Sequence, residues 1–293
     1  MIQMHPKGVN SMLVEVKNLS KTFEMFSLNH ISFQLPKGYI MGLIGQNGSG
    51  KTTLLHTILG LYKQTAGEVL ILGKTYEESE KEIRNLTGTV LTEKIFEEEL
   101  TLEENAEEFG RYFQNYRKEL LEDYLEQFSL DKAQLFGTLS TGEMLKFQFA
   151  FAMAHQPKLL ILDEPTGNFD PKFRMQFWEI LKEFIADGEK SVILATHLTD
   201  DLDQIADYIL YLEDGNVLFW NDIETLRQEF CIVAGDEEKI KLLPKENMVS
   251  IEKGYYTVRA LVHTTGIKKN MQGLTVSIPT IEEWMYFMAK RVR

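Results

Sequence analysis

The sequence holds a single cysteine, Cys231, in 293 residues. That excludes an internal disulfide framework and fits a reducing compartment, with Cys231 expected as a small buried hydrophobe. Long apolar runs are also missing. Residues 159–162 and 192–195 are only strand-length, far short of the roughly 18–20 residues that cross a bilayer. No direct membrane span is therefore expected. The first residues carry no cationic stretch leading into an apolar core, so no secretory leader is expected either. Basic charge is scarce: 31 Lys and Arg stand against 44 Asp and Glu, a net charge of −13. A nucleic-acid partner is not expected on that ground, because broad contact requires a basic footprint. No fixed-period repeat or low-complexity segment is present. An apolar fraction of 44% is that of an ordinary globular protein, long enough for one large α/β domain and a smaller appendage. The acid is clustered in Glu97-Glu98-Glu99, Glu103-Glu104 and Glu107-Glu108. Such a cluster is a solvated helical face or a landing surface for a partner's cationic element.

What the chain does have begins with Gly45-Gln46-Asn47-Gly48-Ser49-Gly50-Lys51-Thr52-Thr53, directly after the apolar run 39–44. The glycines let the backbone fold tightly enough to turn several N–H groups onto one anion. The following helix adds its positive end. Lys51 can reach β- and γ-phosphates, and Thr52 offers a hydroxyl to Mg²⁺. With a strand before it and the helix-forming run 54–59 after it, the segment reads as a nucleoside triphosphate site.

Around this loop, residues 12–16, 31–35, 39–44 and 67–73 suit strands. The stretch 93–155 is acidic, aromatic and helical in period, with helices expected at 107–117, 118–128 and 143–155. Strand–helix alternation then returns: 158–162, 173–187, 191–195, 199–206, 208–212 and 217–220. The pattern is a doubly wound α/β core interrupted by a helical lobe. Beyond residue 226, strands are expected at 248–251, 255–263 and 273–278, with a closing helix at 280–293. Its Trp284, Met285, Phe287 and Met288 are expected to pack rather than to bind a ligand. The expected domains are a loosely held N-terminus (1–11), the core (12–225, helical subdomain about 93–155) and an accessory domain (226–293), which regulates, supports a dimer or caps the core.

Leu159-Leu160-Ile161-Leu162-Asp163-Glu164 is a buried strand ending in two carboxylates. Such a strand delivers charge to the carboxyl edge of a parallel sheet, where ligands bind. Asp163 is placed to hold Mg²⁺, and Glu164 to orient and deprotonate an attacking water.

Leu139-Ser140-Thr141-Gly142-Glu143 resembles the signature segment of ABC-type ATPases. Together with Asp163-Glu164-Pro165-Thr166, Asn168-Phe169-Asp170 and Thr196-His197, the order and spacing resemble the ATP-binding subunit of an ABC transporter across about residues 12–222. The resemblance implies a P-loop NTPase (RecA-like) α/β core with an inserted helical subdomain and a small α+β C-terminal extension. It also implies a head-to-tail dimer of ATPase subunits, homomeric or heteromeric, closing on two ATP molecules with Mg²⁺. Each ATP lies between one subunit's phosphate loop and the other's Ser140 and Gly142. His197 is implied as a γ-phosphate donor, Asp170 as a bridge across the dimer, and Phe23 as the ring stacked on adenine, with a core aromatic as the alternative for Phe23. Ser140 and Glu143 also form a helix capping box, which is compatible with an anion site.

The chain departs from the family pattern at Thr141, at Glu143 and at Asn168-Phe169. Leu91-Thr92-Glu93-Lys94 stands where the family carries a Mg²⁺-sensing glutamine; spacing points to Thr92, and Glu93 is the better oxygen ligand. The resemblance extends to ATPases of bacterial drug and peptide exporters. It implies a separate transmembrane permease and a cytoplasmic location, peripheral on the inner face of the membrane. The alternative is an ABC-type ATPase acting without a permease, in cofactor assembly or nucleic-acid remodelling.

Overall fold

The computed structural model describes residues 11–93, 95–255, 257–265 and 273–290. The expected loose N-terminus lies, for residues 1–10, outside them. The chain forms two compact units.

In chain order the first unit runs β1 (Met12–Thr22), β2 (Ser27–Pro36), β3 (Ile40–Ile44), α1 (Lys51–Ile58), β4 (Ala66–Ile71), α2 (Tyr76–Leu86) and β5 (Thr87–Val90). The helical lobe follows as α3 (Leu102–Gly110), α4 (Lys118–Gln127) and α5 (Thr141–Ala154). The unit then continues with β6 (Leu159–Asp163), α6 (Pro171–Ile185) and β7 (Ser191–Ala195), and later β8 (Tyr208–Glu213) and β9 (Asn216–Asp222). β2-β1-β4 form a small antiparallel sheet, and β5-β6-β7-β3-β8-β9 the main one. In the main sheet, β5, β6, β7, β3 and β8 pair in parallel. β3, β6 and β7 are buried at every position. Helices on both faces leave no strand position wet, so these strands read as unbroken apolar runs. Leu43, Ala195 and Asp163 lie side by side in register. Whatever follows β3, β7 and β6 therefore emerges along one edge. Below that edge Leu43, Leu54, Ile58, Ile161, Ile193 and Leu210 share one core, each such side chain contributing about 1.5–3 kcal/mol on burial.

The lobe has its own aromatic core, with Phe96 within 4.8–5.5 Å of Phe109, Phe136, Phe147 and Phe151. The helix expected at 107–117 is corrected: α3 spans Leu102–Gly110. Thr101 and Glu104 cap its start reciprocally, and the Tyr116 ring packs against Gly110 where a side chain would collide.

The second unit takes α7 (Thr199–Ile205), α8 (Ile223–Glu229), β10 (Phe230–Gly235), α9 (Glu237–Ile240), β11 (Met248–Lys253), β12 (Val258–His263), β13 (Thr275–Ser277) and α10 (Ile281–Ala289). Its antiparallel sheet has the order β11-β12-β10-β13. Cys231, Val233, Ile240, Leu243 and Val262 form one core, and Trp284 and Phe287 of α10 are fully buried. Cys231 is buried as expected. The closing helix ends at Ala289, and residues 291–293 lie outside the described ones. Compactness places 198–207 and the described residues from Asn221 on in this unit, whereas the sequence placed 198–207 and 221–225 in the core.

Candidate functional site

The loop after β3 ends at Gly50, whose φ of 106° is open to glycine, and a Cβ there would lie 2.5 Å from the Phe26 ring. No side chain caps α1, whereas α2, α3, α5 and α10 each carry a capping box. The first N–H groups of α1 are thus left for an anion. Lys51, buried, is held over the loop by the carbonyls of Gly45 (2.9 Å) and Gln46 (3.4 Å). Ser49 Oγ is buried without a hydrogen-bond partner.

Across the edge, Thr52 Oγ1 donates to Asp163 Oδ2 at 2.8 Å, and Asp163 Oδ1 is buried and unpartnered. Burial pushes the Asp163 carboxyl up. The Thr52 hydrogen bond opposes this, the Glu164 charge adds to it, and Lys51 and His56 pull the other way. A hydroxyl and a carboxylate with a spare buried oxygen could hold Mg²⁺, which takes few protein oxygens and completes its octahedron with phosphates and water. That economy fits the lack, among the described residues, of any cluster of three or more His, Cys, Asp or Glu.

Glu164 follows β6 at φ 49°, a left-handed conformation costing about 1–3 kcal/mol in a non-glycine residue. Its N–H donates to the Ala195 carbonyl at 2.9 Å. Its Oε2 lies 2.7 Å from His197 Nδ1 and accepts from the His197 N–H at 3.3 Å. Two strand ends are thereby locked together through a carboxylate and an imidazole.

Phe23, Phe26, Asn47, Gly48, Gly50, Lys51, Thr52, Thr53, Tyr62, Asp163 and Glu164 line one cleft of about 530 Å³. Phe23 meets Tyr62 edge-to-face at 5.5 Å, and Lys21 Nζ lies 4.9 Å from the Phe23 ring. Sequence reasoning missed Tyr62, Phe26 and the buried His56, which supports the Tyr62 ring at 5.2 Å. Only tertiary proximity reveals them.

The Glu93 carboxylate lies 3.7 Å from His56 Nε2. Its segment is held from α5 by the buried Gln148, whose Oε1 accepts from the Leu91 N–H (3.0 Å) and whose Nε2 donates to the Glu93 carbonyl (3.4 Å).

At the tip of α5 the capping box is present. Ser140 Oγ donates to Glu143 Oε2 at 2.7 Å, and these bonds hold the Glu143 carboxyl below its usual range. The Glu143 charge is thus turned back onto Ser140. A Cβ on Gly142 would lie 2.7 Å from the Asn168 carbonyl oxygen, so the α5 tip and the loop after Glu164 are in close approach. Asp170 caps α6 by accepting from the Phe173 N–H at 2.9 Å. Phe169 is plugged between Phe173 and Phe177, which accounts for an aromatic at that position.

A phosphate loop, an acidic strand end and a capped serine helix on an inserted lobe define an ABC-type P-loop ATPase. The family model for ABC transporters matches residues 28–167, and the chain belongs to that family as an ATP-binding, ATP-hydrolysing transporter subunit. The ABC transporter ATP-binding protein YcbN of Bacillus subtilis is 32% identical, covering 73% of this chain and 71% of that protein. A Nod factor export ATP-binding protein I of Rhizobium leguminosarum bv. viciae is 30% identical over 84% and 83%. The bacitracin transport ATP-binding protein BcrA of Bacillus licheniformis is 28% identical over 71% and 69%. Among solved structures, an ATP-binding subunit of an ABC transporter superposes with a TM-score of 0.69 at 26% identity, covering 73% of this chain and 92% of that one. The ATP-binding cassette MJ0796, in a dimeric post-hydrolysis state with ADP and Pi, gives 0.65 at 26%, covering 72% and 98%.

Proposed function

We propose that this chain powers an exporter of peptides or antibiotics by hydrolysing ATP in a head-to-tail dimer with a second ATPase subunit. Its substrate pathway is a separate transmembrane permease, to which it binds at the inner face of the membrane. Support for export comes from relatives named for bacitracin transport and Nod factor export. Among the described residues no helix is long and apolar enough to cross a membrane.

In this reading residues 45–53 cradle the phosphates, Lys51 neutralises the β- and γ-phosphate charge, and Phe23 stacks on adenine. Thr52 and Asp163 hold Mg²⁺, with Glu93 as a further oxygen ligand. Bound there, Mg²⁺ supplies charge neutralisation to the phosphate oxygens. Glu164 accepts the proton of the attacking water, and His197, oriented through Nδ1 by the same carboxylate, presents Nε2 toward the γ-phosphate. Ser140 and Gly142 meet the partner subunit's nucleotide, and Asp170 lies at the seam. The domain reading is an ATPase core with its helical subdomain, followed by an accessory unit.

The observation that carries the chemistry is the 2.7 Å Glu164–His197 contact at the mouth of the phosphate cleft. Glu164→Gln should retain ATP affinity within about threefold and lower turnover at least about a hundredfold, accumulating an ATP-bound dimer by size exclusion. Wild-type hydrolysis would refute the assignment. Peptide antibiotics should raise ATP turnover of the subunit reconstituted with its permease; stimulation confined to other solutes would overturn the export reading.

A further inference from the structure

β8 and β9 are joined by only two residues, Asp214 and Gly215, with φ of 46° and 71°. Positive φ at both positions is the tight hairpin turn that an Asp-Gly pair suits, because its twist matches that of the flanking strands. The turn stands at the sheet edge from which the phosphate loop emerges, since β8 pairs in parallel with β3 and Ile44 lies opposite Tyr211. There it meets the loop through the backbone. The Gly215 N–H donates to the Ser49 carbonyl at 3.0 Å, and the Gly215 carbonyl accepts from the Asn29 N–H of β2 at 2.8 Å. One residue thus bridges the phosphate loop and β2, far along the chain from both.

Gly215 fits this position tightly. A Cβ there would collide with the Ser27 carbonyl oxygen, a backbone atom that cannot rotate aside. Alanine also disfavours the left-handed conformation that Gly215 holds. The loop is as closely fitted on its own side, where a Cβ at Gly45 would collide with the Leu212 carbonyl oxygen of β8. Ser49, between Gly48 and Gly50, is buried. A turn that yields to the Ser27 collision must shift, and its bonds to Ser49 and Asn29 shift with it. The loop's N–H groups receive an anion only while its backbone keeps one shape. None of the residues that line the nucleotide cleft belongs to this turn.

We propose that Gly215 is a positioning residue for nucleotide binding: through its N–H on the Ser49 carbonyl, the Asp214-Gly215 turn holds the phosphate loop in its anion-receiving shape without touching the nucleotide. This rests on the phosphate-loop reading of residues 45–53 given above. Coupling of this kind is reciprocal, so bound phosphate must protect the turn to the extent that the turn favours phosphate. The effect falls on the triphosphate and not on the base. Tripolyphosphate, which carries neither base nor ribose, is therefore the probe.

The test uses the full-length chain and compares Gly215→Ala with Gly73→Ala by titration with ATP and with tripolyphosphate, without Mg²⁺ so that nothing is hydrolysed. Gly73 has φ 75° and open space where its Cβ would lie, so its alanine carries the same backbone strain without a collision. Gly215→Ala should weaken both ligands about tenfold, by matching factors, and speed hydrogen–deuterium exchange across residues 45–51. Gly73→Ala should keep both affinities within about twofold. In the wild-type protein, saturating tripolyphosphate should slow exchange of residues 213–217 at least about threefold and leave 72–75 unchanged. That measurement decides the matter should Gly215→Ala fail to fold. Wild-type affinity in Gly215→Ala, a loss matched by Gly73→Ala, or a loss for ATP alone overturns the proposal. So does a loss without faster exchange in 45–51, or unchanged exchange at 213–217 on ligand binding. Lys51→Ala separates the two readings: unaltered affinity in that variant removes the phosphate-loop reading itself, whereas a weakened Lys51→Ala beside a wild-type Gly215→Ala removes only the role of the turn.

Discussion

Glu164 is held in a backbone conformation that few glutamates adopt, and the bond from its N–H to the β7 carbonyl keeps it there. Strain of this kind persists only where the surroundings over-determine it. Lys51, Thr52, Asp163 and Glu164 were legible in the sequence because backbone geometry fixes their spacing, and a strand-to-loop step tolerates little variation. Tyr62, His56 and Gln148 were not, because their relation to the site is through space. Gly142 lies between these cases: its place in the motif was readable, but its contact was not. The atom opposing a new Cβ is a backbone carbonyl oxygen 2.7 Å away, which cannot rotate aside as a side chain would. Gly142→Ala should therefore push the α5 tip from the loop bearing Asn168. Turnover should fall at least about tenfold, as expected for a misplacement of about an ångström, while ATP binding by the isolated subunit changes less than about twofold. Hydrolysis rates beside a binding titration check this.

At the scale of elements, the parallel strands were readable because both of their faces are covered, leaving an unbroken apolar signature. α3 was misplaced by several residues although Thr101 and Glu104 announce its start; the acidic run after them drew the helix toward Tyr112 and Phe113. β10 went unread, since Phe230–Gly235 follows α8 without a turn residue between them. α5 spans Ser140 at its tip, Gln148 in the middle and His155 at its C-cap. Burial pushes the His155 imidazole down from 6.5 to about 4, with a backbone hydrogen bond at Asn85 recovering only part. The ring is stacked on Phe113 at 4.2 Å, and Nδ1 has no partner. Between pH 6.5 and about 4 the unfolded chain takes up a proton that the folded ring refuses. Stability is thus lost as pH falls through that window, by about 2–3 kcal/mol. His155→Gln should flatten this slope, measured as urea midpoints at pH 7 and 4.5. An unchanged slope would place the acid sensitivity in other groups.

For the molecule as a whole, the −13 charge argues against broad contact with nucleic acid, but the acidic lobe is less bare than its sequence suggests. Lys118 pairs with Glu103 and Glu107, and Lys132 with Glu103 and Glu122, so part of the run is internally compensated. Exposed pairs of this sort add little stability; here they reduce the charge open to a partner. The two-unit division was only partly legible, because composition marks where a chain changes character and not where it doubles back. Two compact units with separate cores are expected to melt in two steps. Millimolar MgATP should raise the transition of the unit holding the phosphate loop, by RT ln(1 + [ATP]/Kd) in stability, and leave the other in place. Calorimetry with and without nucleotide reads this directly, and a single shifted transition would show the units to be one cooperative body.

Most appended modules can be grafted or pruned at one seam, since the thread crosses into them once. Here it crosses, returns and crosses again, so the tail is stitched to the engine rather than tacked onto it. Shearing the chain at Asn221 would take away the Ile281 N–H and the Arg227 guanidinium that Asp203 engages. A different tail in its place would have to meet Asp203 with donors of its own.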